Sequence, residues 1–210
     1  MLSWKGRMQH SHRAEVSTVP LTSAFYARNT VTVAQELLGK ILVRELGATV
    51  LEGMIVETEA YRGRDDPASH AYRALTQRNE VMFGEPGRAY VYFTYGMHYC
   101  LNITTEPVGQ AGAVLIRALQ PIKGLAEMKR RRRIEHVKDL SNGPAKLTQA
   151  FAVTKALNGY DLTSGKELFV ANSFHPERLS ITAGGRIGIR SGCEKPWRFF
   201  VEGSPYVSKR

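Results

Sequence analysis

The chain has 210 residues and a net charge of +10, and 43% of its residues are hydrophobic. This length suits one domain that buries a core without disulfides, and neither Cys100 nor Cys193 lies in a zinc-ligand pattern. No apolar stretch is long enough for a membrane-spanning helix, so we expect a protein with reduced cysteines that acts in the cytoplasm.

The positive charge is unevenly distributed. Residues 1–105 carry a net charge of +1, whereas residues 106–210 carry +9. Such asymmetry favours a polyanionic partner, either nucleic acid or an anionic membrane. The run from Lys129 to Arg133 places charge all round a helical turn, unlike a membrane-surface helix, which has one apolar face. We therefore favour nucleic acid over a membrane, although basicity that serves only solubility is the simpler alternative.

The first third of the chain predicts an arm, a helix and two strands. Residues 1–20 lack the apolar segment of a secretory signal and predict a flexible basic arm before a domain that covers residues 21–210. A helix is predicted over 23–38, where Gly39 supplies a C-terminal cap. The remaining predicted elements of this part are strands over 40–46 and 49–61 and a loop over 62–69.

An aromatic β-hairpin is predicted over residues 88–105, with its tip at 94–96, where Gly96 can adopt a positive φ. The later predicted elements are a strand over 113–119, a basic helix over 123–137, a short helix over 145–151 and short strands over 186–190 and 197–201. Without repeats or a linker, this order predicts a single mixed α/β (α+β) domain.

Carboxylates and an aromatic ring share one face of a predicted strand. Glu57, Glu59 and Tyr61 alternate, so their side chains point the same way. Buried carboxylates are costly unless they are paired or open into a cleft. Two interpretations stay open for each Glu, a structural salt bridge or a general base that activates water. A metal site that includes His70 carries less weight, because the spacing matches no ligand motif.

Arg117 is the lone charge in the apolar segment AVLIRAL. A carboxylate partner would satisfy its guanidinium and keep that carboxylate ionised. An arginine that extends into solvent at a strand edge is the alternative.

The hairpin places side chains on two faces. Tyr95, beside the turn glycine, is a candidate wedge that fills the gap left by an extruded base. We expect Tyr90 to pack in the interior, while the roles of Tyr92 and Asn102 stay open. One face of the second strand carries His98, Cys100 and Asn102, and the other, which resembles core, carries Met97, Tyr99, Leu101 and Ile103.

A basic protein with an acidic strand end and an aromatic hairpin tip has the parts needed by an enzyme that flips a base out of duplex DNA. A non-catalytic nucleic-acid module, such as an RNA-binding domain, is one alternative, and a hydrolase of free nucleosides is another. A plain binding module needs no carboxylate, and a nucleoside hydrolase needs no wedge.

Seven motifs follow one another along the chain: IVETEAY (55–61), DPASH (66–70), YVYFTYGM (90–97), CLN (100–102), LIRAL (115–119), NGPAKL (142–147) and GSPYVS (203–208). Over roughly residues 20 to 208 the chain resembles the alkyladenine (3-methyladenine) DNA glycosylases of the mammalian type. The resemblance implies a curved antiparallel sheet, a hairpin that enters the minor groove, and hydrolysis without a metal, an organic cofactor or lyase activity. We expect a monomer, located at the nucleoid if the source is bacterial.

The resemblance also implies roles for individual residues. Glu59 would activate water, and Arg117 would help to hold that water. Tyr61 would stack on one face of the flipped base. The other positions that would contact the base are His70 and Tyr92 on its second face, the backbone around Ala68 and His70 at its edge, and Asn102 opposite a purine 2-amino group.

For DNA, the resemblance implies that Tyr95 is the wedge, with Met97 beside it, and that Lys146 contacts a phosphate. The implied substrates are 3-methyladenine, 7-methylguanine, hypoxanthine and ethenoadenine. The run Arg130–Arg133 is denser in charge than the family leads us to expect, so its part in DNA binding stays open.

Overall fold

The computed structural model describes residues 16–94, 97–173 and 179–208. This part of the chain contains nine strands in one antiparallel sheet and four α-helices, which confirms the predicted single domain of mixed α/β class. The strands are β1 (Val16–Pro20), β2 (Ile41–Leu46), β3 (Thr49–Arg62), β4 (Ala89–Thr94), β5 (His98–Thr104), β6 (Gly112–Lys123), β7 (Leu168–Ser173), β8 (Ile181–Gly184) and β9 (Arg198–Val201). The helices are α1 (Ser23–Tyr26), α2 (Thr30–Glu36), α3 (Leu125–Arg132) and α4 (Pro144–Ala150).

Strand β3 is the centre of the sheet. The strand order is β1-β7-β2-β3-β6-β5-β4, and β6 pairs with nearly the whole length of β3. On its other side β3 pairs first with β2, through residues 49–54, and then with β9, through residues 57–59. Strand β8 extends the sheet beyond β9. The second half of β3 therefore lies between β6 and β9, and this half carries the predicted carboxylates.

The main core lies between the sheet and the helices α2 and α4. Thr58 of β3 points towards α2, where its hydroxyl donates a hydrogen bond of 2.8 Å to the carbonyl of Ala34. Thr148 of α4 donates to the carbonyl of Tyr99 in β5 at 3.0 Å. Because side chains alternate along a strand, Glu57 and Glu59 lie on the face of β3 opposite Thr58, away from this core.

The predicted helix over residues 23–38 is wrong in its continuity, because α1 and α2 are separate helices. Asn29 lies between them with a non-helical backbone, and its side chain accepts hydrogen bonds from the amides of Val31 and Thr32. Such a cap begins a new helix and competes with continuation of the preceding one. The predicted basic helix over 123–137 is also shorter, since Gly124 and Arg133 adopt left-handed conformations at its two ends.

Most of the other secondary-structure predictions are confirmed, and one is wrong. The strands over 40–46, 49–61, 113–119 and 197–201, the hairpin and the helix over 145–151 are confirmed with small shifts of their ends. The strand over 186–190 is wrong, because these residues form a loop, and β1, β7 and β8 were not predicted. Residues 16–20 of the predicted arm form β1, which pairs with β7, whereas residues 1–15 lie outside the described part.

Candidate active site

A cavity of about 350 Å³ opens where β3, β4, β5 and β6 meet the loops that follow β3 and β8. Its walls include six of the residues singled out from the sequence, Tyr61, Ala68, His70, Tyr92, Asn102 and Arg117. The fold thus brings together predicted positions that are spread over more than fifty residues of the chain.

Glu59 lies directly behind the cavity wall and is fully buried. Its Oε2 accepts hydrogen bonds from the hydroxyl of Tyr61 at 2.8 Å and from Nη1 of Arg117 at 3.2 Å, and both donors line the cavity. Its Oε1 accepts from the backbone amide of Ile187 at 2.7 Å. A carboxylate offers about four lone-pair positions, so these three donors leave capacity for one more, such as a water molecule.

Glu57 is also fully buried, but its hydrogen-bonding capacity is used within the protein. Its Oε1 accepts from Nε of Arg198 at 2.7 Å, from the hydroxyl of Ser208 at 2.9 Å and from Nε of Arg117 at 3.1 Å. Its Oε2 accepts from the amide of Ser208 at 2.7 Å. The structural salt-bridge interpretation therefore describes Glu57, and the geometry separates two carboxylates that strand periodicity could not distinguish.

A β-bulge directs Arg117 towards these carboxylates. Glu57 pairs with Ala118 and Thr58 with Ile116, so Arg117 is the extra residue of β6. Its buried guanidinium joins Glu57 and Glu59, in place of the exposed position at a strand edge that was the alternative. Burial alone would lower the pKa of Arg117, but the charges of Glu59 and Glu57 outweigh burial and raise it.

Aromatic rings form the opposite wall. The ring centroids of His70 and Tyr92 lie 4.6 Å apart in an edge-to-face arrangement, and Nδ1 of His70 lies 2.9 Å from the hydroxyl of Tyr90. Partial burial of the His70 ring and the nearby charge of Arg78 lower the pKa of His70 to about 4, although the residue as a whole is exposed. Burial, followed by the charge of Glu59, raises the pKa of Tyr61, so its hydroxyl stays protonated and donates to Glu59.

A buried ion pair supports the wall from behind. Asp66 and Arg186 have fully buried side chains, with Nη1 of Arg186 2.6 Å from Oδ2 of Asp66. The guanidinium carbon of Arg186 lies 4.8 Å from the centroid of the Tyr61 ring. Burial alone would lower the pKa of Arg186. The hydrogen bonds and the charge of Asp66 outweigh burial and raise the pKa of Arg186.

The sequence was compared with protein families and with curated proteins. The model of the family described as methylpurine-DNA glycosylase matches residues 24–205. The chain belongs to this family. The predicted enzyme class, a hydrolase of N-glycosidic bonds in DNA, is thereby confirmed, and the non-catalytic RNA-binding alternative does not fit this family.

Individual relatives agree with the family. The chain is 52% identical over 190 residues to a protein of Carboxydothermus hydrogenoformans, a match that covers 90% of this chain and 99% of that protein. It is 48% identical to a protein of Chlorobium luteolum and 47% identical to one of Methanocella arvoryzae, with 90% and 89% of this chain and 96% and 94% of those proteins covered. All three carry the name "Putative 3-methyladenine DNA glycosylase". They are bacterial or archaeal, so the mammalian type of the resemblance stays a prediction.

Ala68 and Asn102 of this glycosylase also line the cavity, and each makes a hydrogen bond within the chain. The amide N–H of Ala68 donates to Oδ1 of Asp66 at 3.2 Å, so this N–H is occupied within the chain. The buried side chain of Asn102 donates from Nδ2 to the carbonyl of Tyr90 at 3.0 Å, which fixes the orientation of its amide.

The predicted DNA-binding residues have different outcomes. Tyr95 lies outside the described residues. Met97, immediately before β5, is 69% exposed, so its predicted core position is wrong, whereas exposure suits a contact with DNA. Of the other residues on that face, Leu101 and Ile103 are buried in the core and Tyr99 is partly buried. Lys146 of α4 is half-buried and donates from Nζ to the side chain of Asn142 at 2.7 Å.

The basic run of α3 is largely occupied by contacts within the chain. Arg130 and Arg131 both lie 2.7 Å from Glu127, and Lys129 lies 3.0 Å from Glu135. Arg132 donates to the carbonyl of Leu140 at 3.1 Å. These contacts neutralise part of the charge that the sequence suggested for DNA.

Three residues of the site were missed from the sequence. Asp66 and Arg186 lie 120 positions apart and face each other only in the fold, although the acidic loop RGRDDPAS was visible. Arg78 lines the cavity beside Tyr92, yet nothing in its segment, TQRNE, distinguishes it from other exposed arginines.

Within the described ranges, no group of three His, Cys, Asp or Glu side chains is close enough to hold a metal ion. Within the same ranges, no helix has the length and apolar character needed to cross a membrane.

Proposed function

We propose that the chain flips damaged purines out of double-stranded DNA into this cavity and hydrolyses their N-glycosidic bond with water activated by Glu59. The observation that carries the proposal is the buried carboxylate of Glu59, held directly behind the cavity wall by Tyr61, Arg117 and the amide of Ile187, three residues that line the cavity. These three donors fix the carboxylate in place, and a carboxylate oxygen is the group that accepts a proton from water.

In the proposed reaction, the leaving base takes the electron pair of the broken bond and Glu59 takes a proton from water. The bond between C1′ of the sugar and the purine nitrogen breaks, and its electron pair leaves with the base. The water oxygen bonds to C1′, and its proton passes to Glu59. Arg117, bound to both Glu57 and Glu59, helps to hold that water.

Hydrolysis without strand cleavage is supported by the residues around the cavity. A lyase reaction of this type needs an amine that forms a Schiff base with the sugar. Among the described residues that line the cavity there is no lysine. We therefore propose a monofunctional enzyme that needs neither a metal nor an organic cofactor.

Recognition of the base is assigned to the aromatic walls and the polar groups between them. Tyr61 stacks on one face of the purine, and His70 and Tyr92 lie on the other, since flipped bases are read by stacking and by contacts to their edges. The backbone of Ala68 and His70 contacts the base edge, and Asn102 opposes a 2-amino group. The proposed substrates are 3-methyladenine, 7-methylguanine, hypoxanthine and ethenoadenine.

Contact with the duplex is assigned to the hairpin and to α4. Tyr95 fills the space left by the flipped base, Met97 lies beside it, and Lys146 contacts a phosphate. We propose that the protein acts as a monomer in the cytoplasm, with the residues that precede β1 as a basic arm.

The proposal is tested with duplexes that contain a single hypoxanthine or ethenoadenine, treated with alkali after incubation. The wild-type protein should produce an alkali-labile site at the lesion, and Glu59→Gln should not. Glu52→Gln is the matched control, because Glu52 lies on the same strand but pairs with Lys123 outside the cavity. Absence of a labile site with the wild-type protein, or equal cleavage by Glu59→Gln, would overturn the proposal.

A further inference from the structure

Arg78 carries a positive charge at the wall of the cavity. Two charged residues line the described cavity, Arg78 and Arg117, and Arg117 is paired with Glu57 and Glu59. The other buried arginines nearby are also paired, Arg198 with Glu57 and Arg186 with Asp66. Among the described residues, Arg78 makes no ion pair.

The contacts of Arg78 are with neutral groups. Its Nη2 lies 3.5 Å from Nε2 of His70, and its guanidinium carbon lies 5.5 Å from the centroid of the Tyr92 ring. A neutral His70 with its proton on Nδ1 can donate to the hydroxyl of Tyr90 and accept from Arg78 at Nε2, which satisfies both contacts. The low pKa of His70 keeps the ring in this neutral form at physiological pH. Arg78 is therefore held against the proposed base-stacking wall as a cation that has no ion-pair partner in the part of the chain that the structure describes.

The two classes of damaged purine differ in how their charge changes as the bond breaks. A neutral lesion, such as hypoxanthine or ethenoadenine, receives the electron pair of the bond and leaves as an anion that then takes a proton. A purine alkylated at a ring nitrogen, such as 7-methylguanine, starts as a cation and leaves as a neutral base. A fixed positive charge stabilises the developing anion and repels the incoming cation.

We propose that Arg78 is a specificity-determining residue, which favours neutral damaged purines over cationic N-alkylated purines in this cavity. This inference rests on the proposed function and assigns the substrate class of the same site. Arg78 is exposed, so solvent screens its charge in the free protein, and its effect grows when bound DNA excludes water from the cavity mouth.

The test compares single-turnover rates on two duplexes, one with hypoxanthine and one with 7-methylguanine. In Arg78→Gln, the ratio of the hypoxanthine rate to the 7-methylguanine rate should fall on the order of tenfold relative to the wild type. Arg78→Lys should keep the ratio near the wild-type value, because the charge remains. Arg78→Glu should lower the ratio further than Arg78→Gln does. Arg73→Gln is the matched control, since Arg73 is an exposed arginine of the same segment that does not line the cavity.

An equal loss on both lesions in Arg78→Gln, or an unchanged ratio, would overturn the inference and assign Arg78 to a phosphate contact or to no role in selection. Failure of the proposed function gives a different result. In that case the wild-type protein releases neither base, or Glu59→Gln releases both at the wild-type rate.

Discussion

Arg186 donates two hydrogen bonds to Asp66 in the interior, from Nη1 to Oδ2 at 2.6 Å and from Nη2 to Oδ1 at 2.7 Å. Asp66 also accepts the amides of Arg62 and Ala68, and so it fixes both ends of the loop that carries Ala68. The next residue after Arg186, Ile187, donates its amide to Glu59. One ion pair thus connects the loop that faces the base with the loop that holds the carboxylate.

Replacement of Asp66 by Asn should therefore destabilise the protein strongly. The charge of Arg186 would stay buried without its counterion, and loss of one partner of a buried pair costs about 3–5 kcal/mol. The free energy of unfolding, measured with urea, gives the value. The neighbouring Asp65 provides the matched control, because its pair with Arg62 is 52% exposed on the Asp side and such surface pairs contribute about 0–1 kcal/mol. Equal stability of Asp66→Asn and Asp65→Asn would contradict the structural role of the pair.

Tyr61 combines a ring that faces the cavity with a hydroxyl that holds Glu59, and two substitutions separate these roles. Tyr61→Phe keeps the ring against Arg186 but removes the donor to Oε2, so lesion binding should persist while the single-turnover rate falls about tenfold. Tyr61→Ala should weaken lesion binding as well, by about 1–3 kcal/mol for the lost stacking. Binding by fluorescence anisotropy and base release by rapid quench give the two quantities. Equal binding by both variants would exclude the stacking role.

Local pattern was sufficient to predict β3 and its acidic face. Alternation placed Glu57, Glu59 and Tyr61 on one side, and the structure agrees because residues 57–59 of β3 pair in continuous register with β9, although the register of β3 with β6 is irregular. The alternation of side chains along the strand could not distinguish Glu57 from Glu59 as the candidate base. The distinction depends on Ser208 and Arg198, which reach Glu57 from positions more than 140 residues away.

The features that the sequence left unpredicted are non-local or arise from a single side chain. The bulge at Arg117 appears only in the register between β3 and β6, and the pair of Asp66 with Arg186 needs the whole fold. The break between α1 and α2 comes from the cap made by Asn29, which a pattern of apolar residues does not reveal. Composition alone therefore could not show which loop residues, such as Asp66 and Arg186, the fold brings into contact.

His70 should make the stability of the protein depend on pH in a defined window. Its pKa is lowered to about 4 in the folded chain, below its usual 6.5, by burial and by Arg78. Between these values the unfolded chain binds more protons, so the stabilising contribution of neutral His70 is present above pH 6.5 and is lost as the pH falls towards 4. Urea midpoints at pH 7 and pH 4.5 should therefore differ less in His70→Gln than in the wild type. In Arg78→Gln, NMR titration should show the pKa of His70 closer to 6.5, and an unchanged pKa would exclude Arg78 as a cause.

Lys146 tests whether the surface around α4 contacts DNA through a phosphate. The residue lies in the first turn of the helix whose first residue, Pro144, lines the cavity, and its Nζ is held by Asn142 at the same end. A phosphate contact contributes to affinity without regard to sequence, and its loss reduces the slope of log K against log salt by about 1. Lys146→Gln should therefore weaken binding to damaged and undamaged duplexes alike and flatten the salt dependence. Lys123→Gln is the control, since Lys123 lies at the far end of β6 and pairs with Glu52. An unchanged slope in Lys146→Gln would remove the phosphate contact from the proposed interface and return the basic run of α3 to consideration, with Arg133→Gln as the next variant to measure.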